Sequence, residues 1–454
     1  MRFAICRTGV VPAFVAGWSV LFAGIAPAGA AQGPVKSPEV THTGQAPTGY
    51  TVTFRYSNPA AQKVQIRGEW AFARPGELAQ IAPTPDHPIV ESQGVLPDAW
   101  QPGDFPLPRP NATGANWPVM DLKKGADGVW AITIPLPSGT FSYAFMIDCS
   151  DARAQQCARI ADPVNRPWNE SNGAVKGSVV RSSQVFVPSD RNFNTVDYAW
   201  QAPAKTRGKL THETYSSPGH VTPRDENHLV VYTPPNYDPK RAKPYPTLYL
   251  SHGGGGNEME WSTQGAAANI LDNLINTGEI QPLVAVMPNA GGYPESVLFT
   301  AYTRDLVDRM IPFVEQRYHV SKSAMDRAFS GLSMGGMLTN LFMFRHPETF
   351  QYYGMMAAGL PPEYATPTPA QIDALKGKSI WVGGGWQDAI HAAGFKTTAT
   401  THTGPAREVS AFAKAGIPVA TNYVHGGHQW YVWRILLKDF LTRTAFLPTP
   451  YATW

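Results

Sequence analysis

The chain has 454 residues, with 37 Lys and Arg against 34 Asp and Glu, for a formal net charge of +3. Charge this balanced excludes the basic stripe that nucleic-acid binding needs, and 43% hydrophobic residues exclude a disordered chain. The length implies two or three domains, and 41 Gly with 42 Pro imply many turns.

Residues 1–30 read as a secretory signal peptide. Arg2 and Arg7 form a basic start, residues 10–25 an apolar stretch, and Ala28-Gly29-Ala30 a small-residue cleavage site. Cleavage near Ala30 exports the chain, to the periplasm or outside the cell, and removes two positive charges. Beyond residue 30 no stretch is long and apolar enough to span a membrane. Cys6 leaves with this segment. Cys149 and Cys157, eight apart, read as one local disulfide. Loop entropy gives such a bridge roughly 2–3 kcal/mol.

Residues 31–48 are polar and read as a flexible leader. From 49 to 188 the pattern is all-β. Residues 50–56 and 63–68 alternate with period two, and 128–136 and 139–148 read as two further strands. Residues 178–187 read as a last pair. Short strands between Gly, Pro and Asp clusters imply an immunoglobulin-like β-sandwich. A Pro-rich insertion at 73–120 has no clear periodicity and holds Trp100 and Trp117.

Residues 189–212 read as a linker, and 213–454 as an α/β domain. Short apolar runs at 246–251, 282–287, 327–330, 352–356, 379–382 and 419–424 predict strands. Residues 267–276, 303–318, 334–344 and 430–441 predict helices, the second kinked by Pro312. Strands alternating with helices imply parallel βαβ units in a doubly wound sheet.

The chemistry concentrates in this second part. Gly331-Leu332-Ser333-Met334-Gly335 follows a predicted strand and opens a predicted helix, the setting of a nucleophile elbow. Such a turn presents the Ser333 hydroxyl, and the helix N-terminus lies beneath the forming oxyanion. A hydroxyl needs a base to take its proton. His428 hangs on the Gly426-Gly427 loop after the last strand and is the predicted base. His425, at the strand end, reads as structural. His252 precedes the serine and fits another role. His220, His319, His346, His391 and His402 read as surface residues. Asp388, after a strand and the Gly383-Gly384-Gly385 turn, is the predicted acid; Glu363 and Asp373 are the alternatives. One oxyanion N–H comes from Met334. The other comes from the run His252-Gly253-Gly254-Gly255-Gly256, with Gly253 and Gly254 as candidates. His252, Trp261, Trp386 and Trp430 are candidate substrate contacts. His425 and His428 have no acidic or Cys ligand beside them, so no metal and no cofactor are expected.

These motifs resemble the esterase-D-like, feruloyl-esterase-type branch of the α/β-hydrolases (carbohydrate esterase family one). The resemblance covers residues 210–445. It rests on Val230-Val-Tyr-Thr-Pro-Pro-Asn-Tyr-Asp, Tyr249-Leu-Ser-His-Gly-Gly-Gly, Asn269-Ile-Leu-Asp-Asn-Leu-Ile, Gly331-Leu-Ser-Met-Gly-Gly, Gly385-Trp-Gln-Asp388 and Gly427-His-Gln-Trp430 with Trp433. Residues 127–130, 136–143 and 162–165 are similar to the early-set β-sandwich related to glycogen-binding modules. The resemblance implies a serine esterase for feruloyl or acetyl esters of plant carbohydrates. Siderophore trilactone esterases and acyltransferases share the branch. A glycan-binding protein with a decayed hydrolase domain is the reading from another class, and the intact Ser333, Asp388 and His428 oppose it. The long insertion and the cysteine pair depart from the sandwich pattern, and Trp100, Trp117 and Trp168 are expected in core or interface packing. Asn111 and Asn169 head glycosylation sequons.

Overall fold

A computed structural model describes residues 35–76, 94–108, 117–151, 156–170, 177–294, 296–393, 395–396 and 401–447. The predicted signal peptide, much of the insertion and Asn111 lie outside these residues. Residues 36–454 form one compact unit. Among the described residues no helix is long and apolar enough to cross a membrane.

Among the described residues the first part holds ten strands: β1 (Glu39–His42), β2 (Tyr50–Ser57), β3 (Val64–Gly68), β4 (Phe72–Ala73), β5 (Phe105–Pro106), β6 (Val119–Asp121), β7 (Lys123–Lys124), β8 (Val129–Pro135), β9 (Gly139–Ile147) and β10 (Ser183–Val187). They form two four-stranded antiparallel sheets, ordered β1-β2-β8-β7 and β10-β9-β3-β6, and a small β4-β5 ribbon. Alternate residues such as Val52 and Phe54, Val64 and Ile66, and Phe141, Tyr143 and Phe145 fill one core. The expected flexible leader is partly ordered: Glu39–His42 pairs with β2. Its Thr and His side chains face water while the backbone ladder holds it, so hydropathy gave no sign of it. The expected last pair is one strand, β10. The Cys149–Cys157 disulfide is formed, with Cα atoms 5.8 Å apart.

β9 departs from simple alternation, because nearly all of it is buried. The sandwich core covers one face. The other face meets the second part of the chain, where Arg434 donates to Thr140 O at 2.8 Å and lies 3.3 Å from Glu69 Oε2. Burying this pair carries a desolvation cost, met here by a third bond from Arg434 to Gln264 O.

The second part is an eight-stranded sheet ordered β11 (Lys209–Val221), β12 (Arg224–Thr233), β14 (Val284–Pro288), β13 (Thr247–Ser251), β15 (Arg327–Leu332), β16 (Tyr352–Met356), β17 (Ser379–Gly385) and β20 (Ala420–Val424). β11, β12 and β14 run antiparallel, and from β14 through β20 the pairing is parallel. A minor hairpin, β18 (Phe395–Lys396) with β19 (Thr401–His402), lies apart from it. The helices are α1 (Ala267–Asn276), α2 (Leu298–Asp305), α3 (Ile311–Arg317), α4 (Met334–Arg345), α5 (Pro369–Leu375), α6 (Ile390–Ala393), α7 (Pro405–Lys414) and α8 (Trp430–Arg443).

Period-two alternation sends neighbours to opposite faces. Leu248 and Leu250 pack with α1 and α8, while Tyr249 packs with α2, α3 and α4. The expected helix over 303–318 starts earlier and is broken by a π turn at Leu306–Met310, just before Pro312. Proline has no N–H to close the usual ladder there. The β11–β12 hairpin starts inside the expected linker, at Lys209. Its long ladder is set by backbone pairing more than by hydrophobic period.

Candidate active site

Ser333 sits between β15 and α4 with φ 52° and ψ −117°. A non-glycine residue there stores strain of about 1–3 kcal/mol. The surrounding backbone holds it: Ser333 N–H donates to Met356 O at 2.8 Å, and Met337 N–H donates to Ser333 O at 3.0 Å. Close approach fixes the glycines. A Cβ on Gly335 would lie 2.6 Å from Ser251 O, and one on Gly331 would meet the Gly335 backbone at 2.6 Å. The elbow therefore accepts no side chain at either position. Ser333 and Met334 remain half-buried, with their outer faces open. The first N–H groups of α4 have no partner within the helix, and the positive dipole end lies beneath the hydroxyl.

The 252–256 run curls against this turn. A Cβ on Gly253 would stand 3.3 Å from Ser333 Cβ, whereas Gly254 has open space around it. Of the two candidates, Gly253 is the one beside the serine. His252 is buried and does not face a substrate. Ala290 N–H donates to its Nε2 at 2.9 Å, so Nδ1 carries the proton and donates to Gly253 O at 2.6 Å. Burial also holds this imidazole below its usual pKa, in the neutral form that this bonding needs. His252 thus fixes the carbonyl of the glycine turn. Glu260 lies against Gly256, and burial pushes its carboxyl up to about 7.

Asp388 and His428 meet across two loops. His428 Nδ1 and Asp388 Oδ2 are 2.8 Å apart, with Asp388 only 1% exposed. Asp388 Oδ1 also accepts from Ile390 N–H at 3.0 Å, which locks the carboxylate in place. The Trp433 ring stands edge-on to the imidazole at 4.9 Å. Among the described residues no hydrogen bond joins Ser333 Oγ to His428. Such contacts are often long in ligand-free sites and tighten on binding. The alternative acids sit elsewhere: Glu363 lies 3.5 Å from Arg345, and Asp373 pairs with Lys376 at 2.6 Å. His425 is exposed, 3.4 Å from Gln387 and tilted over Phe105.

Several expectations need correction. Trp261 and Trp430 are buried edge-to-face at 5.2 Å, with Trp261 Nε1 bonded to Ser251 O. They face the core, because the indole rings fill the space between α8 and the sheet. Trp386, beside Asp388, is 48% exposed and remains open to a ligand. His220 is buried, not on the surface: its ring nitrogens meet Pro223 O and Gly291 O. Trp100 and Trp168 lie as expected, Trp100 buried in the sandwich core and Trp168 packed on the cluster beneath α8. Asn169 is buried with its amide on Ser262 Oγ at 2.6 Å, so that sequon offers no acceptor in the folded chain.

Gln387 was missed. Its Oε1 accepts from Gly426 N–H at 2.8 Å and ties the base loop to the acid loop. Its place beside Asp388 in the Gly-Trp-Gln-Asp turn was the available signal.

A serine on a strand-to-helix elbow, over a mostly parallel sheet with helices on both faces, defines an α/β-hydrolase. Residues 221–444 match the sequence profile of the family described as "Putative esterase". The α/β part of the chain is thus similar to this esterase family. It is 31% identical over 310 residues to an endo-1,4-beta-xylanase/feruloyl esterase of Xylanibacter ruminicola, across 63% of this chain and 39% of that one. It is 34% identical over 162 residues to endo-1,4-beta-xylanase Y of Acetivibrio thermocellus, across 33% of this chain and 14% of that one. The chain therefore spans well under half the length of these relatives. Among solved structures, the enterobactin esterase of Shigella flexneri aligns over 87% of this chain and 92% of its own, at 14% identity and a TM-score of 0.49.

Proposed function

We propose that the chain is an exported serine carboxylester hydrolase that acts on feruloyl or acetyl esters of plant carbohydrates. The observation that carries this reading is the 2.8 Å bond between His428 and Asp388, on loops flanking a sheet whose elbow presents Ser333. The feruloyl esterase named among the relatives supports the substrate class. The Cys149–Cys157 disulfide supports an oxidising compartment.

In this reading Ser333 Oγ attacks the ester carbonyl carbon while its proton passes to His428 Nε2. Asp388 accepts from Nδ1, holds the tautomer and stabilises the imidazolium. The carbonyl oxygen becomes an oxyanion facing the N–H groups of Met334 and Gly253. The C–O bond to the alcohol breaks, and the alcohol leaves with the proton from His428. Water then attacks the acyl-serine, giving its proton to His428. Collapse of that intermediate releases the acid and restores Ser333. No metal or redox step enters.

The test is hydrolysis of methyl ferulate and p-nitrophenyl acetate by the full chain and by Ser333→Ala. The wild type should turn over both, and the variant should lose at least about 10⁴-fold in kcat. Equal rates in the two proteins would end the serine mechanism. Turnover of a catecholate trilactone without turnover of methyl ferulate would move the substrate to siderophores.

A further inference from the structure

A cavity of about 240 Å³ lies between the sandwich and the N-terminal turns of α8. Its wall includes none of Ser333, Asp388, His428 or Gly253, but it reaches the back of the base loop at His425, Gln429 and Trp430. Much of the wall comes from the 73–120 insertion: Trp100, Phe105 and Trp117 line it together with Tyr198 and Tyr431.

The charges in the wall are compensated. Arg434 is bonded to Glu69 and to two carbonyl oxygens. Asp104 accepts from Gln101 N–H at 2.9 Å and lies 4.0 Å from Arg74 Nε. With Glu69, Asp104 and Arg434 paired, a charged ligand would find at most His425 as a counter-ion and would have to shed its hydration. The two phenols are different. Tyr198 OH and Tyr431 OH are 3.0 Å apart. Whichever donates, the other keeps its own O–H to give. Burial raises both phenols above their usual pKa, so this donor stays protonated at ordinary pH.

Size narrows the choice further. A cavity of roughly 150 Å³ already accepts one benzene. About 240 Å³ leaves room for one six-membered ring with substituents. Aromatic rings beside unpartnered polar groups, namely the spare phenol O–H, Trp100 Nε1, Thr140 Oγ1 and Gln201 Oε1, suit a flat, neutral ring that carries hydroxyls.

We propose that this interdomain cavity is an accessory binding site for a neutral hydroxylated six-membered ring, seated between Trp117 and the Tyr198–Tyr431 pair. A sugar unit and a phenol both present this chemistry. The proposal does not rest on the esterase reading, because nothing in it involves Ser333.

The test is calorimetric titration of the full chain carrying Ser333→Ala, which removes turnover. D-xylose probes the sugar source and vanillyl alcohol the phenol source. One of them should bind at one site per chain. Adding Trp117→Ala should weaken it by about tenfold or more, and adding Tyr431→Phe by about fivefold. The far-ultraviolet spectrum and melting temperature of Tyr431→Phe, which keeps its ring, check that the fold survives. Binding of neither probe would overturn the proposal. So would binding that both variants leave unchanged, because the ring would then sit elsewhere.

Discussion

The two halves of the candidate site are held in different ways. The nucleophile turn is fixed by backbone against backbone: Gly331 on Gly335, Gly335 on Ser251, and Ser333 N–H on Met356 O. The base loop is fixed by side chains. Asp388 holds the imidazole, Gln387 holds Gly426, and Trp433 stands against the ring. The sandwich reaches this loop too, with Phe105 at His425 and Pro106 O accepting from Gln429 Nε2 at 3.2 Å. The position of Ser333 is thus a property of the sheet. The position of His428 is a joint property of two loops and the neighbouring domain.

This difference sets how each half should fail. Asp388→Asn leaves packing almost intact but favours the wrong tautomer of His428, so kcat should drop by about 10⁴-fold with Tm nearly unchanged. A small drop in an ester-hydrolysis assay would take the role from Asp388. Gly335→Ala should act on the fold, because its methyl would strike Ser251 O. A loss of about 3–5 kcal/mol in urea unfolding is expected, and a stable variant would contradict the backbone account.

Glu408 of α7 interacts with Asn340 of α4 and with Tyr423 of β20. Its carboxyl is fully buried, with no ion pair among the described residues. Burial raises it from 4.5 to about 8. The folded state therefore holds a proton that the unfolded chain releases between those values. This contribution favours folding below about pH 4.5 and is lost progressively as pH rises to about 8. Glu408→Gln should stabilise the fold more at pH 8 than at pH 5, by about 3–4 kcal/mol in urea unfolding. An equal gain at both pH values would show that Glu408 is not held protonated. The smallest effect is expected for Gln387→Ala, a drop of roughly 10-fold to 100-fold in kcat with KM little changed. No change would mean the base loop holds itself.

Legibility in the sequence follows the same division. The elbow was readable because its glycines, its strand and its helix are contiguous from Arg327 to Arg345. The parallel strands were readable because burial on both faces makes them apolar runs. His428 and Asp388 were expected from their loops, and their side chains lie 2.8 Å apart. What held them was not visible: Gln387 acts on Gly426 from 39 positions away. Trp261 and Trp430 looked like ligand contacts because tryptophans near a site are ambiguous until their packing is known. β1 and the long β11–β12 hairpin were missed because ladder bonds between polar strands leave little trace in hydropathy. The contact that covers the start of β9 comes from Arg434, almost 300 residues later.

The central claim is that Ser333 is a nucleophile activated by His428. Fluorophosphonate labelling followed by peptide mass mapping tests it most directly. The account predicts one adduct, on Ser333, and a strongly slowed labelling rate in His428→Ala. An adduct on another residue, or equal labelling rates in the two proteins, would contradict it.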